Sequence, residues 1–314
     1  MLEITLPTSP MNNINDENGE IALCTLAAFN LEFADEIDTL APIVVRALDN
    51  LLDYQNYPVK AAEKNKLRRT LGIGVVNFAY WLAKQGLRYS NNSANDATHE
   101  LFESIQYHVL KASNQLAKEL GACEKFNETS YANGVLPIDR YNKNVDSLVS
   151  VGYNQDWETL RSDITKYGLR NSTLTALMPA ETSSKISNST NGIEPVRGLR
   201  VTKGSKDSYY SQLVPEVDTL ADAYELVWDS KINKGYLSLV AIMQKFVDQA
   251  ISSNTNYDPR KYAGNKVPLK EVLQDLMYAY KMGVKTLYYH NTRDGSGEDI
   301  EPEDDGCASG ACKL

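Results

Sequence analysis

Apolar positions along the chain change period several times, and each change marks an element. Residues 21–31, Ile-Ala-Leu-Cys-Thr-Leu-Ala-Ala-Phe-Asn-Leu, are continuously apolar, as a buried strand would be. Ile37, Leu40, Val44, Leu48 and Leu51 then recur at helical spacing, and Pro58 follows the end. Residues 66–86 read as a second, largely apolar helix in which Gly72 and Gly74 allow close packing. Residues 94–121 read as a third, with a stripe of Leu101, Ile105, Val109, Ala112, Leu116 and Leu120 and a cap at Gly121. Residues 122–155 look irregular, and 156–168 predict a short helix. Residues 173–178 are a short β-prone run that stops at Pro179. The polar stretch 180–206, rich in Ser, Thr, Asn and Gly, predicts a long functional loop containing one helical turn. Helices resume at about 219–229, 236–252 and 268–283, and residues 286–290 form a final strand. Residues 1–20 read as extended chain and loop.

Strands alternating with helices predict an α/β architecture dominated by helix. The first element arrives abruptly, as in part of a larger fold. After Asn291 the chain turns acidic (Asp294, Glu298, Asp299, Glu301, Glu303, Asp304, Asp305), which predicts a disordered tail. The expected division is therefore a folded region, 1–291, and a flexible tail, 292–314.

With 314 residues and 42% apolar composition, the chain can bury a substantial core. The net charge of −9 lacks the basic footprint of a nucleic-acid binder. No run of eighteen apolar residues and no signal-peptide pattern occurs, so the expectation is a cytoplasmic protein with no membrane partner. Four cysteines, Cys24, Cys123, Cys307 and Cys312, are too few for a disulfide scaffold. Three histidines, His99, His108 and His290, form no ligand-like cluster with them, so no metal site is expected.

Cys307 and Cys312 lie five positions apart in the last eight residues, separated by Ala, Ser and Gly. Small residues let such a chain fold back to disulfide distance. A loop that short in an acidic tail stabilises no domain, so the pair reads as a redox-active dithiol that exchanges with another disulfide. Cys24 alone reads as a small core residue, and Cys123 as structural. Residues 179–184, Pro-Ala-Glu-Thr-Ser-Ser, follow a strand and open a helical turn, which makes either an anion cradle or a simple capped loop. Glu181 is unusual for an anion site, but its side chain could face the sugar of a bound ligand or cap the turn. With 19 tyrosines in the chain, the adjacent pair Tyr288-Tyr289 is uninformative alone, and Tyr209-Tyr210 is a second such pair.

Several of these stretches resemble one family. Residues 19–26 (GEIALCTL), 177–184 (LMPAETSS), 188–195 (NSTNGIEP), 285–289 (KTLYY) and 307–314 (CASGACKL) are similar, in order and over essentially the whole chain, to the catalytic large subunit of class I ribonucleotide reductase. The resemblance implies the C-terminal part of a ten-stranded α/β barrel with many flanking helices. It implies that Cys24 is one of two cysteines that reduce the ribose, its partner lying in an N-terminal region. Glu3 matches the general base for the ribose 3′-OH, with Leu2 beside it at the substrate. Pro179, Ala180, Glu181, Thr182 and Ser183 would hold the substrate diphosphate. Tyr288 and Tyr289 would relay a radical, and Cys307 and Cys312 would re-reduce the Cys24 disulfide.

The family motif Asn-x-Cys-x-Glu carries the thiyl radical on its Cys, and Met1 stands at that place here. The resemblance therefore implies a companion chain with the N-terminal part of the subunit. It also implies a metal-containing small subunit as radical source, thioredoxin or glutaredoxin as reductant, and a ribonucleoside diphosphate as substrate. No cofactor is expected on this chain. A split gene, a shortened chain and a catalytically dead relic all accommodate the departure at Met1, and the retained motifs favour the split gene. A non-enzymatic interaction module would have no need of Glu3, Cys24 and the tail dithiol together. A glycyl-radical or cobalamin-dependent relative would have little use for the tyrosines.

Overall fold

The computed structural model describes residues 19–21, 23–204, 209–229 and 232–293. The α/β expectation holds, and its framework is a parallel arc. Strand β1, Thr25–Asn30, pairs in parallel with β2, Leu71–Val76, in the register Thr25 to Leu71. Residues 173–178 continue the arc beside β2 through a parallel bridge between Ile73 and Thr175. Residues 249–254 follow through Leu177 and Ile251, with the Ser252 N–H donating to the Leu177 carbonyl at 2.8 Å. The last segment runs along their other side: Tyr288 N–H donates to Ser253 O at 2.8 Å, and β5 (Thr255–Tyr257) pairs in parallel with β6 (His290–Thr292). Closure into a complete barrel is not seen among the described residues.

Among the described residues, six helices of seven or more residues connect and cover the arc: α1 Ile37–Tyr54, α2 Phe78–Lys84, α3 Asn95–Leu120, α4 Trp157–Tyr167, α5 Ile232–Gln244 and α6 Leu269–Lys281. Among the described residues no helix is long and apolar enough to cross a membrane. The core lies between the outer face of the arc and these helices, around Leu71, Ile73, Phe78, Phe102, Leu110 and Phe246.

The structure corrects several expectations. Residues 66–86 are not one helix: they hold β2 and then α2. A short apolar run is ambiguous between strand and helix, and here β-branched Ile73, Val75 and Val76 alternating with glycine decide for strand. The 21–31 run begins as strand only at Thr25 and is half-open rather than buried, with Leu26 45% exposed. Its second edge has no strand partner among the described residues.

Helix α1 forms as expected, but it buries Ile37, Ala41, Val45, Leu48 and Leu52, leaving Leu51 50% exposed. Its apolar positions spread over more of the circumference than one stripe, so neighbours choose which arc is covered. Leu120, the last residue of the α3 stripe, is likewise exposed. The 219–229 helix reduces to short turns at Val217–Leu220 and Ala221–Ala223. The 236–252 helix starts earlier, at Ile232, and stops at Gln244, because 249–254 are needed in the arc. The 180–206 loop contains its helical turn, Ser183–Ile186, and ends in an unforeseen antiparallel hairpin of β3, Arg200–Gly204, and β4, Tyr209–Leu213.

A buried ionic cluster sets the entry to β2. Arg69 has a left-handed backbone, φ 52°, and its Nε donates to Asp49 Oδ1 of α1 at 2.6 Å. Asp49 also accepts from Arg170 Nε at 3.2 Å and Asn171 Nδ2 at 3.1 Å. Burial opposes the Arg69 charge, yet hydrogen bonds to Asp53 and Asp49 hold its guanidinium above the usual range. Asp49→Ala is expected to cost about 3–5 kcal/mol of unfolding free energy, since it removes the buried one of the two carboxylates that pair with a buried cation. Urea denaturation followed by circular dichroism measures this, and a loss under about 1 kcal/mol would show that Asp53 alone suffices.

Candidate active site

Side chains alternate across a strand, so β2 presents Leu71, Ile73 and Val75 to the helices and Gly72 and Gly74 to the inner face of the arc. The glycines make room there. A Cβ at Gly72 would collide with Cys24 Sγ and lie 2.7 Å from Leu26 Cδ2. A Cβ at Gly74 would lie 2.7 Å from both the Ala176 carbonyl oxygen and Met178 Sδ. Cys24, Leu26, Ala176 and Met178 therefore share one face with the two glycines.

Cys24 is partly buried and unpaired among the described residues. Burial, and to a lesser degree the Asp248 carboxylate, push its thiol up to about 12. The sign is clear: at neutral pH the group is a protonated S–H, suited to giving hydrogen rather than to resting as thiolate. Alkylation by iodoacetamide at Cys24 is expected to run roughly a thousandfold slower at pH 8 than at an ordinary thiol. It should rise about tenfold per pH unit to pH 10 without a plateau, because only the thiolate reacts. Peptide mass spectrometry of timed samples reads this, and a plateau near pH 9 would contradict it. Cys123 is buried, and burial pushes its thiol up to about 11, which fits the structural role expected of it.

The turn at 179–184 leaves the end of segment 173–178 and is tied down by its own loop. The Ala180 N–H donates to Asn191 Oδ1 at 3.1 Å, and the Ser184 N–H to the Ala180 carbonyl at 2.9 Å. Asn77, at φ 74° just after β2, clamps the far side: its N–H donates to the Thr190 carbonyl at 2.9 Å and its Oδ1 accepts the Thr190 N–H at 3.1 Å. Glu181, Thr182 and Ser183 consequently stand exposed at the head of Ser183–Ile186. The N-cap position belongs to Thr182.

Tyr288 and Tyr289 lie on the last segment, at the opposite edge of the arc from Cys24, with β2 and segments 173–178 and 249–254 between. Regular strand geometry would send neighbouring side chains to opposite faces, but this segment is irregular before β6 and the two rings meet. Their centroids are 4.1 Å apart at 54°, and the hydroxyls are 3.3 Å apart. The hydrogen bond from Tyr289 raises the Tyr288 phenol, which stays neutral at physiological pH. Tyr209-Tyr210 lies in β4. Leu2, Glu3, Cys307 and Cys312 fall outside the described residues, as does the acidic tail from Asp294.

Among the described residues no group of three or more His, Cys, Asp or Glu side chains is placed to hold a metal. Sequence reasoning singled out the stretch 188–195 without giving Asn191 or Glu194 a role, and it passed over Asn77 and Asn254, all of which tie this loop and its neighbours together. It also misassigned Gly72 and Gly74, whose alternation within an apolar run was the available signal.

Comparison with known proteins places this geometry. The family model described as "Ribonucleotide reductase, barrel domain" matches residues 2–290. The alpha subunit of ribonucleoside-diphosphate reductase from Haemophilus influenzae is 64% identical over the full length of this chain, that from Enterobacteria phage T4 is 50% identical over 99% of it, and the alpha subunit of ribonucleoside-diphosphate reductase 1 from Escherichia coli is 61% identical over 84%. The chain spans 42% of the length of the Haemophilus and phage relatives and 35% of the Escherichia coli one. With nearly all of its described residues inside the family match, the chain belongs to the ribonucleotide reductase barrel-domain family.

Proposed function

We propose that this chain supplies part of the catalytic subunit of a ribonucleoside-diphosphate reductase, which converts ribonucleoside diphosphates to deoxyribonucleotides. The observation that carries the reading is the glycine-floored face on which the protonated Cys24 sits, on the same arc as the exposed turn 179–184. The exposed Thr182 and Ser183 at the head of that turn suit a diphosphate, and the S–H of Cys24 suits a hydrogen donor.

In the proposed reaction a companion chain carries the thiyl cysteine, which removes the ribose 3′ hydrogen atom and returns it at the end, regenerating the thiyl radical. Glu3 takes the proton from the 3′-OH as general base. Cys24 and a second cysteine then give two electrons and two protons, the 2′-OH leaves as water, and the two thiols become a disulfide. Cys307 and Cys312 reduce that disulfide by exchange, and thioredoxin or glutaredoxin restores them. Tyr288 and Tyr289 pass the radical from a metal-containing small subunit, since phenols can lose an electron and a proton together.

The test combines this chain, a companion chain bearing Asn-x-Cys and a small subunit, and assays reduction of cytidine diphosphate. Turnover is expected only when all three are present. Activity from this chain with the small subunit alone would refute the need for a companion, and inactivity of the complete mixture would refute the function.

A further inference from the structure

The Asn254 side chain joins two parts of the candidate site. Its Nδ2 donates to Glu194 Oε1 at 2.5 Å, and its Oδ1 accepts the backbone N–H of Tyr289 at 3.0 Å. The amide can stand only this way round, because a flip would set NH₂ against an N–H and a carbonyl against a carboxyl oxygen. Thr255 continues the connection, its N–H donating to the Tyr289 carbonyl at 2.9 Å. Both polar groups of the Tyr289 backbone are thus held by the 249–257 stretch.

The other end of the bridge reaches the anion-binding turn. Glu194 closes the loop that begins at Pro179, and its N–H donates to the Asn191 carbonyl at 3.3 Å. Asn191 in turn accepts the Ala180 N–H. Next to Glu194, the Ile193 carbonyl accepts from the buried Tyr89 hydroxyl at 3.0 Å, which anchors this end of the loop. A continuous line of contacts therefore runs from Ala180 through Asn191, Glu194 and Asn254 to Tyr289.

We propose that Asn254 is a positioning residue that holds Tyr289 on Tyr288 and ties that stack to the loop bearing the diphosphate turn, through Glu194. This rests on the radical-relay reading of the tyrosine pair. The side chain bonds the Tyr289 backbone and the Glu194 carboxyl group. It acts on the backbone that aims one of the two rings, and a shift of a few tenths of an ångström there would open the 3.3 Å hydroxyl separation.

The test has two arms. In the chain labelled with 3-fluorotyrosine, the ¹⁹F resonances of Tyr288 and Tyr289 are assigned from their Phe variants. Asn254→Ala is expected to move both to the positions of isolated exposed tyrosines, while Glu194→Gln leaves them, since its Oε1 still accepts from the Asn254 amide. In the reconstituted three-component assembly, Asn254→Ala should lower kcat tenfold or more with KM for cytidine diphosphate within twofold, and Glu194→Gln should stay within twofold in both. Asn254→Asp keeps the acceptor for the Tyr289 N–H and sets a second carboxyl group against Glu194, so it should lose less kcat than Asn254→Ala in a chain that retains its shape. Unchanged resonances in Asn254→Ala, or an equal loss in Glu194→Gln, overturn the proposal. Shifted resonances with a wild-type assembly that never turns over would sink the relay reading instead, and the two failures are therefore distinct.

Discussion

Cys24→Ser is expected to reduce turnover of the complete assembly by at least ~10³-fold, about 4 kcal/mol of barrier. A hydroxyl is nearly the size of a thiol, and Gly72 leaves space at this position, so the fold should survive. The chemistry should not. Losing the 2′-OH as water requires two electrons, and two thiols supply them by joining as a disulfide, which a Ser–Cys pair cannot do. Substrate affinity should stay within about twofold, because the turn 179–184 lies on another segment of the arc. Single-turnover assays of deoxycytidine diphosphate, with nucleotide binding measured by calorimetry, would separate the effects. Turnover within tenfold of wild type would remove Cys24 from the reaction. The same variant should also lose the slow, high-pH alkylation expected at this position.

Tyr289→Phe should likewise fall below about 10⁻³ of wild-type turnover, with nucleotide binding intact. The substitution keeps the ring that packs on Tyr288 at 4.1 Å and the backbone N–H that Asn254 accepts, and it deletes only the hydroxyl. A phenyl ring has no O–H proton to give up with an electron, so a radical arriving at the pair would have no stable place on this residue. The variant therefore separates chemistry from packing: melting temperature and Tyr288 resonance should change little while turnover vanishes. Full activity would show that the stacked pair is architecture alone.

Much of the framework was legible because its signals are local. The α3 stripe, the stop at Pro179, the helical turn after it and the α6 helix follow from periodicity and from residues whose backbone preferences are strong. The 66–86 stretch was misread for a physical reason: a six-residue buried strand and a helix segment have the same composition, and only the neighbours at β1 and 173–178 determine which hydrogen bonds form. The end of α5 at Gln244 was misplaced for the same reason, since the residues after it satisfy the arc rather than their own helix.

The candidate site divides along the same line. Types of residue at Cys24, at 179–183 and at Tyr288 and Tyr289 were apparent in the chain itself, because a thiol, a Ser/Thr-rich turn and a phenol carry their chemistry wherever they stand. Environment was not. Protonation of Cys24 depends on burial and on Asp248, more than 220 positions along the chain. The meeting of two adjacent tyrosine rings depends on an irregular backbone held by Asn254, and the space on the inner face depends on glycines whose neighbours come from two other segments. The sequence by itself determined the elements, the family resemblance and the reactive groups, since each rests on contacts within a few residues or on side-chain chemistry. Only the tertiary structure decided which apolar run became the central strand, which face was left open and how Cys24 is protonated, because each is set by groups distant in the chain that folding brings to within a few ångströms.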